Sequence, residues 1–455
     1  MSRGITQVRV ALIVAALIAA VVSLSSAGNE GNVSAVMKDP CALALLPHEG
    51  SDKQDLEIIR LQTRARSASD QAVWLEQLGW AFVAKARVSF DPGFYKFAEQ
   101  CALCLDEKKP GCAEGLLLRA HVLHSVHKFK EAEALARELV RKRGLNFDYG
   151  ILGDALTEQG KLGDAATAYQ AMMDQKPSPQ AYSRAAHIRW LKGDLPGAIE
   201  LMSWAAGASN PRDPESGAWL HVHLARYEWQ SHDTKKAFEL IDEALEWQPD
   251  YAPALLERGR VLLGLGKTPE AIEALERAAA LNPLPEYQWT LSEALRAANR
   301  VEEAQALEAE LKRHGVANDP RTFSLYLATR GEDVPSALRL AKAELETRTD
   351  VFTLDALAWA WMANADTEQA WTFAQRAVAE GTQDGRLLLH AAVIASAAGQ
   401  SEKAAAFLAK ATAMQEMLLP SERKILATTR PPKPVLTSGN KNLETTQPST
   451  KENQQ

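Results

Sequence analysis

Alanine returns along this 455-residue chain at Ala132, Ala165, Ala198, Ala237, Ala271, Ala304, Ala337, Ala370 and Ala404, at intervals of 33 or 34 residues with one interval of 39. A fixed period of that size marks one small supersecondary unit copied in tandem. A unit so short cannot bury its own apolar face, so the copies must stack into an elongated array with a continuous interior. Length alone would suggest two or three compact domains, and the periodicity overrides it.

The third unit, Phe147 to Pro177, displays the scheme most clearly. Tyr149, Leu152, Gly153 and Leu156 lie at helical spacing, Gly160 interrupts the run, and Leu162, Ala165 and Tyr169 open a second helix that Pro177 stops. Gly153 and Ala165 are small enough to let two antiparallel helices approach. The sixth unit repeats the pattern with Leu255, Gly259, Leu262, Gly266, Ala271, Leu275, Ala278 and Pro283, and the ninth with Leu354, Leu357, Ala358, Trp361, Ala370 and Ala374.

These residues resemble the tetratricopeptide repeat family, whose 34-residue signature sets a bulky residue, Leu, Gly and Tyr on one helix and Ala, Phe, Ala and Pro on the next. The resemblance implies an all-α, right-handed superhelical solenoid of about ten hairpins, units one to four over 71–206 and units five to ten over 218–418. Unit one departs from the pattern, reaching Ala98 only after extra residues around Pro92 and Gly93. Units seven and eight carry Ser292 and Leu325 where a small residue belongs, which predicts a locally widened hairpin. The insertion at 207–217, with Asn210, Pro211, Arg212, Asp213, Pro214 and Glu215, reads as a loop or hinge between two subarrays.

The ends read differently. Arg3 and Arg9, an uncharged apolar run from Val10 to Leu24, and the small residues Ser25, Ser26 and Ala27 have the layout of an export signal over 1–27, with cleavage before Gly28. The apolar run falls short of the ~20 residues of a membrane span, and the competing reading retains residues 10–24 as a membrane tether. Either way the remainder lies outside the cytoplasm, in the periplasm or anchored to the inner membrane and facing it. Residues 28–70 hold a candidate capping helix, Leu56 to Ala65. Residues 419–455, rich in Pro, Ser, Thr, Asn and Gln toward their end, are expected to be disordered. Cys41, Cys101, Cys104 and Cys112 are confined to one end of an exported chain, which predicts at least one disulfide tying the Cys41 segment to the first repeat. Buried free thiols are the alternative.

In tetratricopeptide stacks the first helix of each hairpin lines the concave wall. Carried onto this sequence, the wall includes His187, Trp190, Trp219, Arg226, Trp229, Arg260, Trp289, Glu293, Arg296, Tyr326 and Trp359. Aromatic platforms between guanidinium groups are the residue types of binding hot spots, so the central wall reads as a groove for a protein or peptide, with an acidic segment or a terminal carboxylate as conceivable ligand chemistry. The competing reading packs the tryptophans between hairpins. Reversal of Arg226 and Arg260 to Glu is expected to abolish capture and leave melting unchanged.

A net charge of -7 gives no bulk attraction for nucleic acid. Gly266-Lys267-Thr268 lacks the glycine a phosphate-binding loop needs five residues earlier, where Val261 stands, and Cys101-x-x-Cys104 is followed by Leu105 instead of the His of a haem motif. No nucleophile or metalloprotease motif is found, so the chain reads as a non-catalytic scaffold with no cofactor. The alternative is a metal or small-ligand carrier built on His121, His124 and His127 of unit two together with the cysteines.

Overall fold

The computed structural model describes residues 39–430. The export signal, the tether at residues 10–24 and the tail from 431 onward fall outside these residues. Among the described residues there are helices and no strand, and no helix is long and apolar enough to cross a membrane.

Two helices precede the repeats, α1 (Pro40–Ala44) and α2 (Lys53–Ser67). Ten hairpins follow: α3/α4 (Ala72–Ser89, Gly93–Lys108), α5/α6 (Ala113–Ser125, Phe129–Lys142), α7/α8 (Asn146–Glu158, Leu162–Gln175), α9/α10 (Pro179–Leu191, Leu195–Gly207) and α11/α12 (Pro214–Gln230, Thr234–Trp247) form units one to five. Units six to ten are α13/α14 (Ala252–Gly264, Thr268–Leu281), α15/α16 (Pro285–Ala297, Val301–Asn318), α17/α18 (Pro320–Arg330, Val334–Thr347), α19/α20 (Val351–Ala363, Thr367–Ala377) and α21/α22 (Gly385–Ala397, Ser401–Ala413). A 3₁₀ turn at Gln415–Met417 and α23 (Pro420–Thr428) close the array.

Local chemistry explains the boundaries. Ser178, Asp194, Asp213, Asp233, Asp319, Asp350, Asp366 and Asp384 cap helix N-termini through their side chains, satisfying backbone N–H groups that have no intrahelical acceptor. Each hairpin turns on a left-handed residue, Phe90, His127, Gly160, Gly193, His232, Gly266, Asn299, Gly331, Ala365 and Gly399, with Asp333 a second one in the turn of unit eight. From unit two onward, the next amide then bonds back to the last turn of the first helix, as Lys161 N does to Leu156 O at 3.0 Å, the six-to-one bond that ends a helix in a Schellman motif.

All nine periodic alanines are 0% exposed, and so is Ala98, which fixes the register of unit one. Most of its extra residues fall before Pro92 and are helical. They lengthen α3 to 18 residues. At Gly153 an added Cβ would lie 2.2 Å from the Tyr169 ring, and at Gly259 one would lie 2.4 Å from Leu275, so the helices of those hairpins touch where the sequence is smallest.

The expected hinge at 207–217 is corrected in two ways. Helix α10 runs through Gly207 and α11 starts at Pro214, leaving 208–213 as connection. One apolar interior then passes from Ala120 through Leu201 and Leu220 to Val261 without a break, so the two subarrays are one body. The expectation of disorder over 419–455 is likewise corrected at its start, because α23 is helical and buries Leu426 against Leu388, Leu389 and Leu418. The capping helix is present as α2, longer than expected. Cys41 of α1 is bonded to Cys104 of α4, while Cys101 and Cys112 are free and buried. Lys85 of α3 reaches Asp55 at 2.7 Å and Asp52 at 2.5 Å, and His48 meets Asp55 at 2.8 Å, locking α2 onto unit one.

The array winds until it meets itself. Lys130 Nζ donates to Glu346 O at 3.1 Å, Thr349 N and Oγ1 donate to Glu158 O and Gln159 O at 3.1 and 2.6 Å, Thr382 Oγ1 donates to Leu191 O at 2.6 Å, and Lys192 pairs with Glu380 at 2.7 Å. The Trp190 ring stacks on Phe352 at 5.7 Å, and Arg87 of unit one pairs with Glu215 of unit five. The turns of units two, three and four therefore lie against the loops that follow units eight and nine, a seam between successive turns of the solenoid.

Two glycines separate the seam from ordinary helix surface. Gly193 combines a φ of +79° with a Cβ position 2.6 Å from Gly381 O, whereas a Cβ at Gly163, in α8, meets nothing within 4 Å. Gly193→Ala is expected to destabilise by about 1–3 kcal/mol, and Gly163→Ala to stabilise by about 0.5–1 kcal/mol, both measured by denaturant titration.

Candidate functional site

The first helices of the hairpins do line the inner wall, but most of the wall's aromatic residues are inside it. Trp190, Trp229, Trp289, Glu293, Tyr326 and Trp359 are all buried. Trp190 donates through Nε1 to Gln230 Oε1 at 2.7 Å, and Trp359 to Thr329 Oγ1 at 3.0 Å while stacking on His390 at 4.1 Å. Trp289 lies under Arg386 at 4.7 Å and donates to Glu293 Oε1 at 3.3 Å. Glu293 Oε2 also accepts from the Ser421 backbone N–H at 3.0 Å, so the C-terminal helix α23 covers this stretch of wall. The expectation that these six residues face a groove is corrected: their surface is spent on the seam, the neighbouring units and the C-terminal cap.

The arginines are accessible in part, and each has a carboxylate. Arg226 pairs with Glu257 of the next unit, Arg260 with Glu286 at 2.7 Å, and Arg296 holds Glu308 through Nε and Nη2, both at 2.7 Å. Asp154 accepts from Arg184 Nε and Nη2 at 2.7 Å each, Arg321 faces Asp350 at 3.2 Å, and Arg386 meets Glu422. A ladder of ion pairs runs along the wall, and the locally basic surface inferred from the sequence is neutralised by acids that lie about one repeat away, except for Arg296, whose Glu308 belongs to its own hairpin.

Five residues of the expected set are not buried: Trp219 is exposed, and His187, Arg226, Arg260 and Arg296 are partly so; Trp219, His187 and Arg226 fall together in units four and five. Trp219 is 37% exposed and its ring lies 4.0 Å from that of His223. Phe147, 49% exposed, and the exposed Gln180 occupy the same register position as Trp219, each seven residues before the inner-wall positions Asp154, His187 and Arg226. Phe147 and His223 were missed because the reading followed one wall position per unit with the residues three after and four before it; His223 lies three before Arg226, and extending the reading two turns back finds Phe147. Units three to five thus present an aromatic, histidine-bearing strip over paired charges.

The wall is poorly hydrated, and its histidines record that. Burial drives the His121 pKa down to about 3, with His124 adding to the effect; burial drives His187 down to about 4, against Asp154; and burial places His223 well below the ordinary range. Burial alone would raise Asp154 and Glu286, but Arg184 holds the first low and Arg260 and Arg226 bring the second to about 2. The three histidines of unit two do not converge. His121 lies against Trp80 at 5.2 Å, and His124 and His127 lie against Phe129 at 5.3 and 5.6 Å. Among the described residues the one trio of ligand types within 4.8 Å is Asp39, Cys41 and Glu107, and Cys41 there is oxidised.

Two expectations follow. Histidines that stay neutral in the fold contribute stability that is complete above their unfolded pKa of about 6.5 and is lost as pH falls toward about 4 for His187 and about 3 for His121. Glu158 and Glu215, raised by burial, act in the opposite sense, so the test is a difference: between pH 6.5 and 4.5 the thermal midpoint of His187→Phe should fall less steeply than that of the wild type. Because Glu257 is buried, Arg226→Glu is expected to cost about 3 kcal/mol or more in chemical denaturation, which corrects the expectation of unchanged melting.

No curated protein matches the sequence. The sequence model described as tetratricopeptide repeat matches residues 151–214 and 228–292. Among solved structures, the fold is similar to the APC/C hetero-tetramer Cut9-Hcn1 at 15% identity and a TM-score of 0.44, over 78% of this chain and 62% of that one. It is also similar to yeast Tom70 at 15% and 0.34, over 82% and 92%, and to the human IFIT1 dimer with PPP-AAAA at 10% and 0.45, over 80% and 96%. This chain thus spans less than two thirds of the first of these. The repeat's own sequence pattern over 151–214 and 228–292, within an array of ten hairpins that each bury an alanine at one place in the second helix, supports a tetratricopeptide repeat protein.

Proposed function

We propose that this tetratricopeptide scaffold holds a segment of a partner protein against units three to five, outside the cytoplasm, by positioning and without turnover. The observation that carries the reading is Trp219, an aromatic ring left 37% exposed on a wall where four other tryptophans are buried. Exposed tryptophan beside histidine and arginine is the composition of a binding anchor, and Phe147 supplies a second anchor two units away. The neutralised arginines set the ligand chemistry. With Glu257 already on Arg226 and Asp154 on Arg184, a partner gains little from added acid and most from apolar or aromatic side chains laid across Phe147 and Trp219.

The extracytoplasmic setting is supported by the Arg3, Arg9 and Val10–Leu24 pattern and by the Cys41–Cys104 bridge, a bond that persists in oxidising compartments. Retention through residues 10–24 would place the same wall at a membrane surface.

Trp219→Ala and Phe147→Ala remove exposed rings and are expected to leave denaturation within about 0.5 kcal/mol of the wild type while lowering partner capture at least tenfold. Photo-crosslinking from position 180, between the two rings, identifies the partner peptide. Undiminished capture by the doubly substituted protein rejects the assignment.

A further inference from the structure

A stack of hairpins has two edges, one made by the turns within hairpins and the other by the connections between them, where each second helix stops and the next first helix starts. Over units two to four the turns are taken up in the seam. The connections on the opposite side form a continuous edge: Lys142 Nζ donates to Gly111 O at 2.5 Å and Gln175 Nε2 donates to Gly144 O at 2.7 Å, tying each connection to the next.

Besides the wall's Phe147 and Trp219, the large apolar residues that units one to five expose gather on this edge. Trp204, in the last turn of α10, is 50% exposed with its ring edge-on to Tyr182 at 5.6 Å, and Val73 and Leu145, at the starts of α3 and α7, are exposed as well. The turns of the same units expose Val126. Charge follows the apolar residues. Lys108, Lys109, Arg141, Lys176 and Arg212 are exposed and form no ion pair among the described residues, and with Lys142 they outnumber the exposed acids of these stretches, Asp106, Glu107, Asp174 and Asp213. Two of those acids are engaged locally, Asp213 in capping α11 and Asp106 in accepting the Gly111 N–H at 2.8 Å. In units five to nine the last turns of the second helices and the connections after them carry Arg348 and Arg376 against an excess of acids such as Asp250, Glu346 and Asp384. A basic end on a chain of net charge -7 turns that end toward anionic surfaces.

The chain also enters here. Cys41 is bonded to Cys104 of α4, and Arg66 Nη2, at the end of α2, donates to Leu45 O at 2.5 Å, so the described residues begin, at Asp39, on this edge. Residues 25–38 separate Asp39 from the apolar run Val10–Leu24, a leash of about 50 Å at full extension.

We propose that this edge is a membrane-docking surface, which lies on a bilayer carrying anionic headgroups with the Trp204 indole and Leu145 at headgroup level and Arg141, Lys142, Lys176 and Arg212 against phosphate oxygens. Indole favours that level because it is apolar in body with one N–H donor, and long cationic side chains reach the phosphates beside it. The apolar residues stand singly, one to a unit, with cations between them, which suits a fluid surface better than a shaped protein pocket. None of the residues assigned to the partner wall is used, and the docking holds whether or not that wall binds a protein.

The test places an environment-sensitive nitrobenzoxadiazole label on the full chain at Ala208→Cys, on this edge, or at Ala298→Cys, in the turn of unit seven. Cys101 and Cys112 are buried and the other two cysteines are bonded, so the label goes to the introduced thiol. With vesicles of phosphatidylcholine containing about 30% phosphatidylglycerol, the label at 208 is expected to brighten at least twofold and saturably while that at 298 stays unchanged; raising NaCl from about 0.1 to about 0.5 M, or Arg141→Glu with Lys176→Glu, is expected to weaken the response at least tenfold. Trp204→Ala is expected to weaken it by a similar factor. An equal response to phosphatidylcholine alone, an equal response at 298, or no response at 208 overturns the proposal, and sedimentation with vesicles without a response at 208 overturns it by assigning the binding to the apolar run.

Discussion

Two helices approach most closely where one of them offers no more than a methyl group, and this solenoid rests on that condition met ten times. Ala98 and the nine alanines after it are each completely enclosed, and at Gly153 and Gly259 an added Cβ would run into the Tyr169 ring and Leu275. Close hairpins make flat-sided units, flat-sided units stack, and stacking supplies the interior that no single hairpin possesses. Interior packing is dense enough that one misplaced side chain is felt as a void beside it.

Winding adds a second order of contact that a repeat does not need. The seam joins Glu158 to Thr349 and Trp190 to Phe352, and it turns an open groove into a narrow interior strip. The charged residues caught there are held in the only way compatible with low hydration, as hydrogen-bonded ion pairs reaching from one unit to the next. Those pairs fix the spacing of consecutive first helices: Asp154 to Arg184, Arg226 to Glu257, Arg260 to Glu286 and Arg321 to Asp350 each cross one unit boundary.

The fold was legible in the amino-acid order because it is local and repeated. Alanine spacing, breaking glycines and capping aspartates all act within about 34 residues, and each unit confirms the next. The residues of 207–217 were placed in a loop because Pro and Gly suggest turns, whereas Gly207 ends one helix and Pro214 begins the next. The wall was read less well. Whether Trp190 meets a partner or Phe352 depends on how far the array curls in one turn, a sum of small rotations with no signature at any single residue. Trp219 was found on the correct face, and Phe147 was overlooked although it obeys the same register. The ion pairs were missed because the reading followed the first helices one unit at a time, while the acids of Arg226 and Arg260 lie one unit along and that of Arg296 lies on the second helix of its hairpin.

The seam also bears on how such a chain comes into being. A polypeptide made from its N-terminus has the Cys41–Cys104 pair in hand once its first two helical pairs exist, so the head of the molecule is secured early. Trp190, Leu191 and Gly193 have no counterpart until synthesis reaches Phe352, Thr382 and Gly381. During that interval the nascent front half carries an uncovered indole and unsatisfied backbone carbonyls along one edge. Its growth therefore has a vulnerable middle age, when a protecting factor or rapid elongation matters more than it does at either end.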